Sequence, residues 1–519
     1  MRIFLSCLFV LHVCIFNTRA QVGNRIINAD LNQVTGKRST VFNECIGAGR
    51  ANEGLRADWQ QQLTMVQKDI NFKYIRMHGL LHDDMRVFVM GKDSIPVYNW
   101  QYIDKLYDFL LSIHIKPIVE LSFMPNDMAS ATKTVFWWKG NVTKPKSYKL
   151  WDELIRRLTL HLQERYGKAE VEKWYFEVWN EPDLGGFFAG TQADYFELYA
   201  HTAKAVKSVS ASYRIGGPAT SAIKWIDDFL KYCDNNKLPV DFVTTHDYAT
   251  TSVLDEFGTK KQKLKADADT VAKNVKKVRG QINNSAYKNA EFHLTEWNTS
   301  PSSHDPIHDS YQNAAFILNV LKKAMPYANS MSYWTFTDIF EEAGPAVTPF
   351  HGGFGLVNLE NIKKPTYYAY QYLNSLGATE LKNTDPTSII CKQDKNVQAL
   401  FWDFTFPETG RDFDQGYFIK DQPPLPRKSV QLKLNNLANG TYTLQVYKTG
   451  YRANDPYSQY IAWGRPSYIT PQQVTQLSGL SSGNPIQTTN ITVKNGTYSS
   501  EFAMRSNDIY LVKLNFKHK

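Results

Sequence analysis

Eight times between residues 43 and 378 the chain passes from a short apolar run through a loop into a segment of helical period. The apolar runs are Glu44–Ile46, Tyr74–Met77, Lys116–Leu121, Trp174–Trp179, Tyr213–Gly216, Asp241–Thr245, Glu291–Glu296 and Met331–Phe336. The helical segments fall near 57–69, 100–112, 148–165, 192–208, 222–233, 266–282, 310–324 and 366–375. In the first of these, Trp59, Leu63, Val66 and Ile70 recur at the spacing of one helix face. Strand-then-helix units imply parallel pairing, and eight in succession point to an α/β fold, the (β/α)8 TIM barrel. A doubly wound sheet is the alternative, but it seldom uses so many consecutive units.

After residue 378 the period changes from helical to alternating. Val430, Leu432 and Leu434 are apolar with Gln431, Lys433 and Asn435 between them, and Tyr442, Leu444 and Val446 alternate in the same way. This pattern predicts an accessory all-β domain, a β-sandwich, over residues 379–519. Residues 21–42 are expected to join it. Ahead of them, Met1–Ala20 reads as a secretory signal, with Arg2 before the apolar run Ile3–Phe16 and cleavage before Gln21. That run is shorter than the roughly 20 residues a bilayer span needs, so the expectation is an exported protein, periplasmic or secreted, with no membrane partner. Without the leader three cysteines remain, Cys45, Cys233 and Cys391, which cannot all pair. Stability must then come from a large core and not from a disulfide framework. The net charge is +9, but no basic block dominates, and nucleic acid is not expected as a partner.

In a barrel of this kind the chemistry sits where strands run into their following loops. Two strands end there in a glutamate among polar and aromatic residues. The fourth ends Phe176-Glu177-Val178-Trp179-Asn180-Glu181-Pro182, and the seventh ends His293-Leu294-Thr295-Glu296-Trp297-Asn298. Strands four and seven face each other across the mouth, so Glu181 and Glu296 can share one cleft. Two opposed carboxyl groups are what glycosidic cleavage needs: one protonates the leaving oxygen while the other attacks or activates water. Two loop glutamates in salt bridges are the bland alternative, and the Asn-Glu-Pro sequence and strand-end positions weigh against it. An aromatic content of 13% suits sugar binding, although it suits any large core as well.

Five stretches make the resemblance specific. They are Ile46–Gly54, Ile75–Asp84, Tyr175–Leu184, Thr295-Glu296-Trp297 and Met331–Glu342; the tail segment Tyr451–Tyr457 adds a sixth. On these the chain resembles glycoside hydrolase family 39, the family of β-xylosidases and α-L-iduronidases, and most of all its bacterial β-xylosidase branch. The resemblance implies a general acid/base at Glu181, a nucleophile at Glu296 and a retaining mechanism. It further implies sugar contacts from His78, Asn180, Phe187, His246, Tyr248, Trp334 and Glu342. Each has an ordinary reading beside it: loop-bonded histidines, core aromatics, or Glu341 in place of Glu342 as the inward carboxylate. Arg76, beside His78, would either orient Glu296 or close a salt bridge in the barrel wall.

The activity expected is therefore release of xylose from the non-reducing ends of β-1,4-xylo-oligosaccharides. The alternatives are an α-L-iduronidase-like or arabinopyranosidase-like hydrolase and a non-catalytic sugar binder. An iduronate site would call for arginine or lysine around the sugar carboxylate, and no clear basic set stands out. No cofactor or metal is expected. Gly47-Ala-Gly49 lacks the third glycine of a dinucleotide fingerprint, and neither His78/His82 nor His304/His308 has the His-Glu-x-x-His pattern. Sequons stand at Asn141, Asn283, Asn298, Asn439, Asn490 and Asn495. A homo-oligomer is left open, with Tyr457, Tyr460 and Trp463 as candidate contacts and ordinary packing as the simpler reading.

Overall fold

A computed structural model describes residues 25–254, 260–406 and 413–517; the leader expected over residues 1–20 lies outside them. Eight parallel strands close into a barrel: β1 (Cys45–Arg50), β2 (Tyr74–His78), β3 (Lys116–Glu120), β4 (Tyr175–Glu177), β5 (Arg214–Thr220), β6 (Phe242–Tyr248), β7 (Glu291–Asn298) and β8 (Ser330–Tyr333). Closure comes where Tyr333 on β8 pairs with Ile46 on β1. Each strand leads to a helix outside the barrel: α1 (Ala57–Ile70), α2 (Gln101–Ser112), α3 (Tyr148–Tyr166), α4 (Gln192–Val209), α5 (Ile226–Asn235), α6 (Thr270–Asn283), α7 (Tyr311–Ala324) and α8 (Pro365–Asn374).

Local chemistry sets the helix limits. The helix α1 buries Trp59, Leu63, Val66 and Ile70, then stops at Asn71, which takes a left-handed φ of 60° and returns its N–H to the Gln67 carbonyl. At the start of α4, Thr191 and Asp194 form a reciprocal capping box. Two helices begin four residues later than their periodicity implies. Before α5, Ala222, Ile223 and Trp225 all adopt left-handed φ, which no right-handed helix admits. Before α6, the Asp267 carboxylate accepts the Asp269 N–H, and that local turn displaces the first helical turn.

Two sheets make up the second layer system. A seven-stranded sheet runs in the order Val34–Lys37, Thr379–Leu381, Ser388–Gln393, Asn396–Trp402, Ile509–Phe516, Gly440–Thr449, Gln487–Val493. A three-stranded sheet joins Arg25–Asp30, Val430–Asn435 and Thr497–Phe502. Their facing residues, among them Ile27, Ala29, Leu432, Leu444, Val512 and Leu514, form one apolar core, the arrangement of a β-sandwich. The segment Arg25–Asp30 pairs in parallel with Val430–Asn435 across some 400 residues of chain, register Ile27 to Leu432.

Two helices interrupt the sandwich, Pro456–Ala462 and Pro471–Leu480. Tyr457 and Tyr460 are buried against Phe350 of the loop after β8, and Leu477 joins the same cluster with Ile362. These two tyrosines therefore pack within the chain and offer nothing to a subunit interface, while Trp463 is half-buried at the edge of that cluster. Cys45, Cys233 and Cys391 are all buried free thiols.

Candidate active site

Side chains alternate along a strand, so residues two apart on the inner face project together into the barrel mouth. On β2 these are Arg76 and His78; on β6, His246 and Tyr248. Glu120 ends β3, Glu177 ends β4 and Glu296 lies near the end of β7. Asn180 and Glu181 fall just past β4, where the backbone turns sharply: Trp179 and Glu181 have φ of 69° and 45°. Left-handed φ at residues with a Cβ costs on the order of 1–3 kcal/mol each and needs support. Two bonds supply it here: the Glu181 N–H donates to the Ala219 carbonyl at 2.9 Å, and the Trp179 indole donates to the Phe187 carbonyl at 2.9 Å.

Arg76 is the hub of the site. Fully buried, it donates to Glu177, to Glu296 at 2.8 Å and to Asn180 at 3.1 Å, and lies 2.8 Å from Glu120. Burial disfavours its charge, but Glu120, Glu177 and Glu296 outweigh that and raise its pKa. It thus both orients Glu296 and bridges the barrel wall, so the two readings of Arg76 are one network. Truncating one member of such a buried network leaves an unpaired charge, which typically costs about 3–5 kcal/mol.

Glu296 accepts on both oxygens: Oε1 from Arg76, and Oε2 from the Tyr248 hydroxyl at 2.9 Å. Its neighbour Thr295 donates to Glu177 at 2.9 Å, which ties the strand end to the same hub. His246 Nδ1 stands 3.0 Å from Glu181 and 3.5 Å from Glu296. One oxygen of each glutamate and a ring nitrogen of His246 all lie within 4.8 Å of one another. Burial pushes the His246 imidazole down to about 4, so it is neutral near pH 7. The carboxyl of Glu181 is pushed up to about 7, first by burial and then by Asp183, against His78, Arg76 and Lys224.

His78 Nδ1 donates to Glu120 at 2.8 Å. Burial works against the Glu120 carboxylate, but Arg76, His78 and the Ser122 hydroxyl outweigh it and hold its pKa below the usual range. The other ring nitrogen of His78 points at Glu296 and Glu342, at 3.4 and 3.5 Å. Glu342 is the inward carboxyl; Glu341 turns away to Arg50 and Arg56. Burial together with Glu296, Glu181 and Glu120 pushes the Glu342 carboxyl well above the usual range.

These groups share one small cavity, lined by His78, Phe136, Asn180, Glu181, Phe187, Tyr248, Glu296, Pro301, Trp334 and Glu342. Of the nine residues named from the sequence, eight line it and the ninth, His246, stands directly behind, bonded to Glu181. The sequence reading missed Phe136, Pro301, Glu120 and Glu177. Glu120 and Glu177 were open to the same strand-end argument as Glu296; Phe136 and Pro301 lie on long loops, where no periodicity marks them. Gly47 explains the glycine after β1 begins: a Cβ there would stand 2.3 Å from the Trp334 ring. Asn141 and Asn298 are buried and hydrogen-bonded inside the protein, so neither sequon presents its amide to a glycan. His308 is buried and bonded to the Gly352 carbonyl.

The profile of glycosyl hydrolases family 39 matches residues 25–498. A β-xylosidase of Caldicellulosiruptor saccharolyticus is 38% identical over 451 residues, covering 85% of this chain and 88% of that one. One from Geobacillus stearothermophilus is 41% identical over 366 residues, 69% and 73% of the two chains. Among solved structures, a monomeric β-xylosidase from Caulobacter crescentus CB15 superposes with a TM-score of 0.92 at 38% identity, covering 95% of this chain and all of that one. A barrel with two opposed glutamates at its mouth, matched over most of its length by these relatives, belongs to glycosyl hydrolase family 39, and the protein is a glycosidase.

Proposed function

We propose that the protein is an exported β-xylosidase that removes single xylose units from the non-reducing ends of β-1,4-xylo-oligosaccharides with retention of configuration. The observation that carries this reading is the spacing of Glu181 and Glu296, whose nearer oxygens lie within 4.8 Å. Carboxyl groups about 5–5.5 Å apart serve double displacement, whereas inverting enzymes leave roughly 6.5–9.5 Å for a water between them. Glu181 with its raised pKa is the general acid. It hands its proton to the glycosidic oxygen as Glu296 attacks the anomeric carbon from the opposite face and the aglycone leaves. Glu181, now a carboxylate, then takes a proton from water, which displaces Glu296 and frees the sugar with its original configuration. Asn180, oriented by Arg76, faces the 2-hydroxyl, where a bond strengthens as positive charge develops on the ring.

Xylose is favoured over a uronic acid because the cavity wall carries no lysine or arginine. Arg76, behind that wall, is already engaged by three carboxylates and has no free face for a fourth. The names of the two relatives near 40% identity point the same way. Export rests on the leader sequence and a monomeric state on the Caulobacter relative.

A direct test compares aryl β-xyloside with aryl β-glucoside. The hydroxymethyl group of glucose must find room among Phe136, Phe187 and Trp334, and the clash recurs in the transition state. We expect kcat/KM at least ten-fold higher for the xyloside, and β-xylose as the first product in an NMR time course. Equal constants for the two sugars overturn the xylose assignment; α-xylose released first overturns the double displacement.

A further inference from the structure

Of the twelve tryptophans in the chain, all of them among the described residues, only Trp137 is exposed, at 56%. A single exposed apolar side chain is ordinary on a protein surface; what sets this one apart is its place at the lip of the catalytic cavity. It belongs to the run Phe136-Trp137-Trp138 in the short hairpin Thr134–Val135 with Gly140–Asn141. Phe136 turns inward: it lines the cavity, stacks 6.2 Å from His78 and lies 5.3 Å from Phe187. Trp138 is buried beneath it, against Phe123 and His82. Trp137, between them, is turned over the loop that follows Glu342. An added Cβ on Gly344 would touch its ring at 3.5 Å, and its backbone N–H donates to the Glu342 carbonyl at 2.7 Å.

Cavity wall and exposed indole are therefore continuous. One residue further out than the ring that encloses the departing sugar, a second aromatic face lies open. Val347, 78% exposed, adds apolar surface to the same loop as Glu342. A pyranose offers alternating C–H faces and equatorial hydroxyls, and the C–H face is what an open aromatic ring takes up, leaving the hydroxyls in water. Arg50 and Arg56 close the polar side of this rim, both held by Glu341, so the rim is built and not a frayed loop end.

We infer that Trp137 is the platform of an aglycone-side subsite, stacking on the xylose that follows the scissile bond and setting the preference for oligosaccharides over short-headed substrates. This rests on the xylosidase reading of the cavity. A stacked base or sugar ring gains only where the ring is present, so Trp137 should matter for substrates that extend past the cleaved bond and not for those that end there.

The test is the ratio of kcat/KM for xylobiose to kcat/KM for β-xylosyl fluoride, which has no sugar on the aglycone side. In Trp137→Ala the ratio should fall at least ten-fold from that of the unaltered enzyme; in Trp137→Tyr, which keeps a ring, it should fall less than three-fold. A parallel loss on both substrates, with the ratio unmoved, would show that Trp137 merely braces Glu342 and would overturn the inference. So would a ratio indifferent to residue 137 in enzymes of full activity. If the unaltered enzyme cleaves neither compound, the xylose reading itself fails and takes the subsite with it, an outcome distinct from an active enzyme with an unmoved ratio.

Discussion

Glu181 and Glu296 are chemically identical side chains given different work by their surroundings. Glu296 is met by donors on both oxygens, while Glu181 has burial and Asp183 against its charge. A general acid acts only while protonated, and the Glu181 carboxyl is pushed up to about 7. The kcat/KM of an aryl xyloside with a poor leaving group should therefore decline as pH rises through about 7, approaching ten-fold per pH unit. In Glu181→Ala that alkaline limb should disappear, and azide should restore turnover of a dinitrophenyl xyloside with retained product, since azide needs no base. A limb that persists in Glu181→Ala would assign the acid elsewhere. Both glutamates were legible because each ends a strand run of recognisable texture. The raised pKa of Glu181 was not, because it comes from burial and Asp183, opposed by His78, Arg76 and Lys224, all brought together by the fold.

Strands and loops divide the remaining work. The strand ends hold Arg76, Glu120, Glu177, His246 and Tyr248, whereas the aromatic walls at Phe136, Phe187 and Trp334 come from the segments beyond the strands. Glycine makes one such wall possible. Gly47 on β1 leaves the space that the Trp334 ring occupies, with a virtual Cβ 2.3 Å from Cε3. Gly47→Ala should drive Trp334 toward the cavity, at a cost of about 1–3 kcal/mol as typical of overpacking. A lowered Tm together with a raised KM for aryl xyloside checks this; a lowered Tm with KM unmoved would mean that the ring yields outward. The sequence announced the glycine and the tryptophan separately. Their contact could not be read, since residues 47 and 334 meet only once β8 has closed against β1.

Over the whole molecule, the first and last described strands are held in one body. Arg25–Asp30 supplies an edge strand to a sheet whose other members begin at Val430, and Arg25 also binds Asp385. Ile27 is buried in the sandwich core beside Leu432. Ile27→Ala should cost about 2–5 kcal/mol, as large-to-small core changes do. Thermal unfolding should show it as a lower Tm for the sandwich, with KM for aryl xyloside unchanged. An unchanged Tm would mean that the N-terminal strand is dispensable. The helices Pro456–Ala462 and Pro471–Leu480 matter at this level too, because Tyr457 and Tyr460 pack on Phe350 and so brace the loop after β8 from the side of the sandwich.

The eight strand–helix units, the alternating tail and the two strand-end glutamates needed only local information. Periodicity of 3.6 or 2, a capping residue and a carboxylate in an Asn-Glu-Pro turn are written within a few neighbouring positions. Everything that depended on distant contacts had to wait for the fold: the four-residue delay of α5 and α6, the inward face of Phe136, the choice of Glu342 over Glu341, the burial of Tyr457 and Tyr460. A loop's side chains are aimed by contacts far away in sequence. Whether a carboxyl is charged depends on how many such contacts remove it from water, and that number exists only once the barrel has closed.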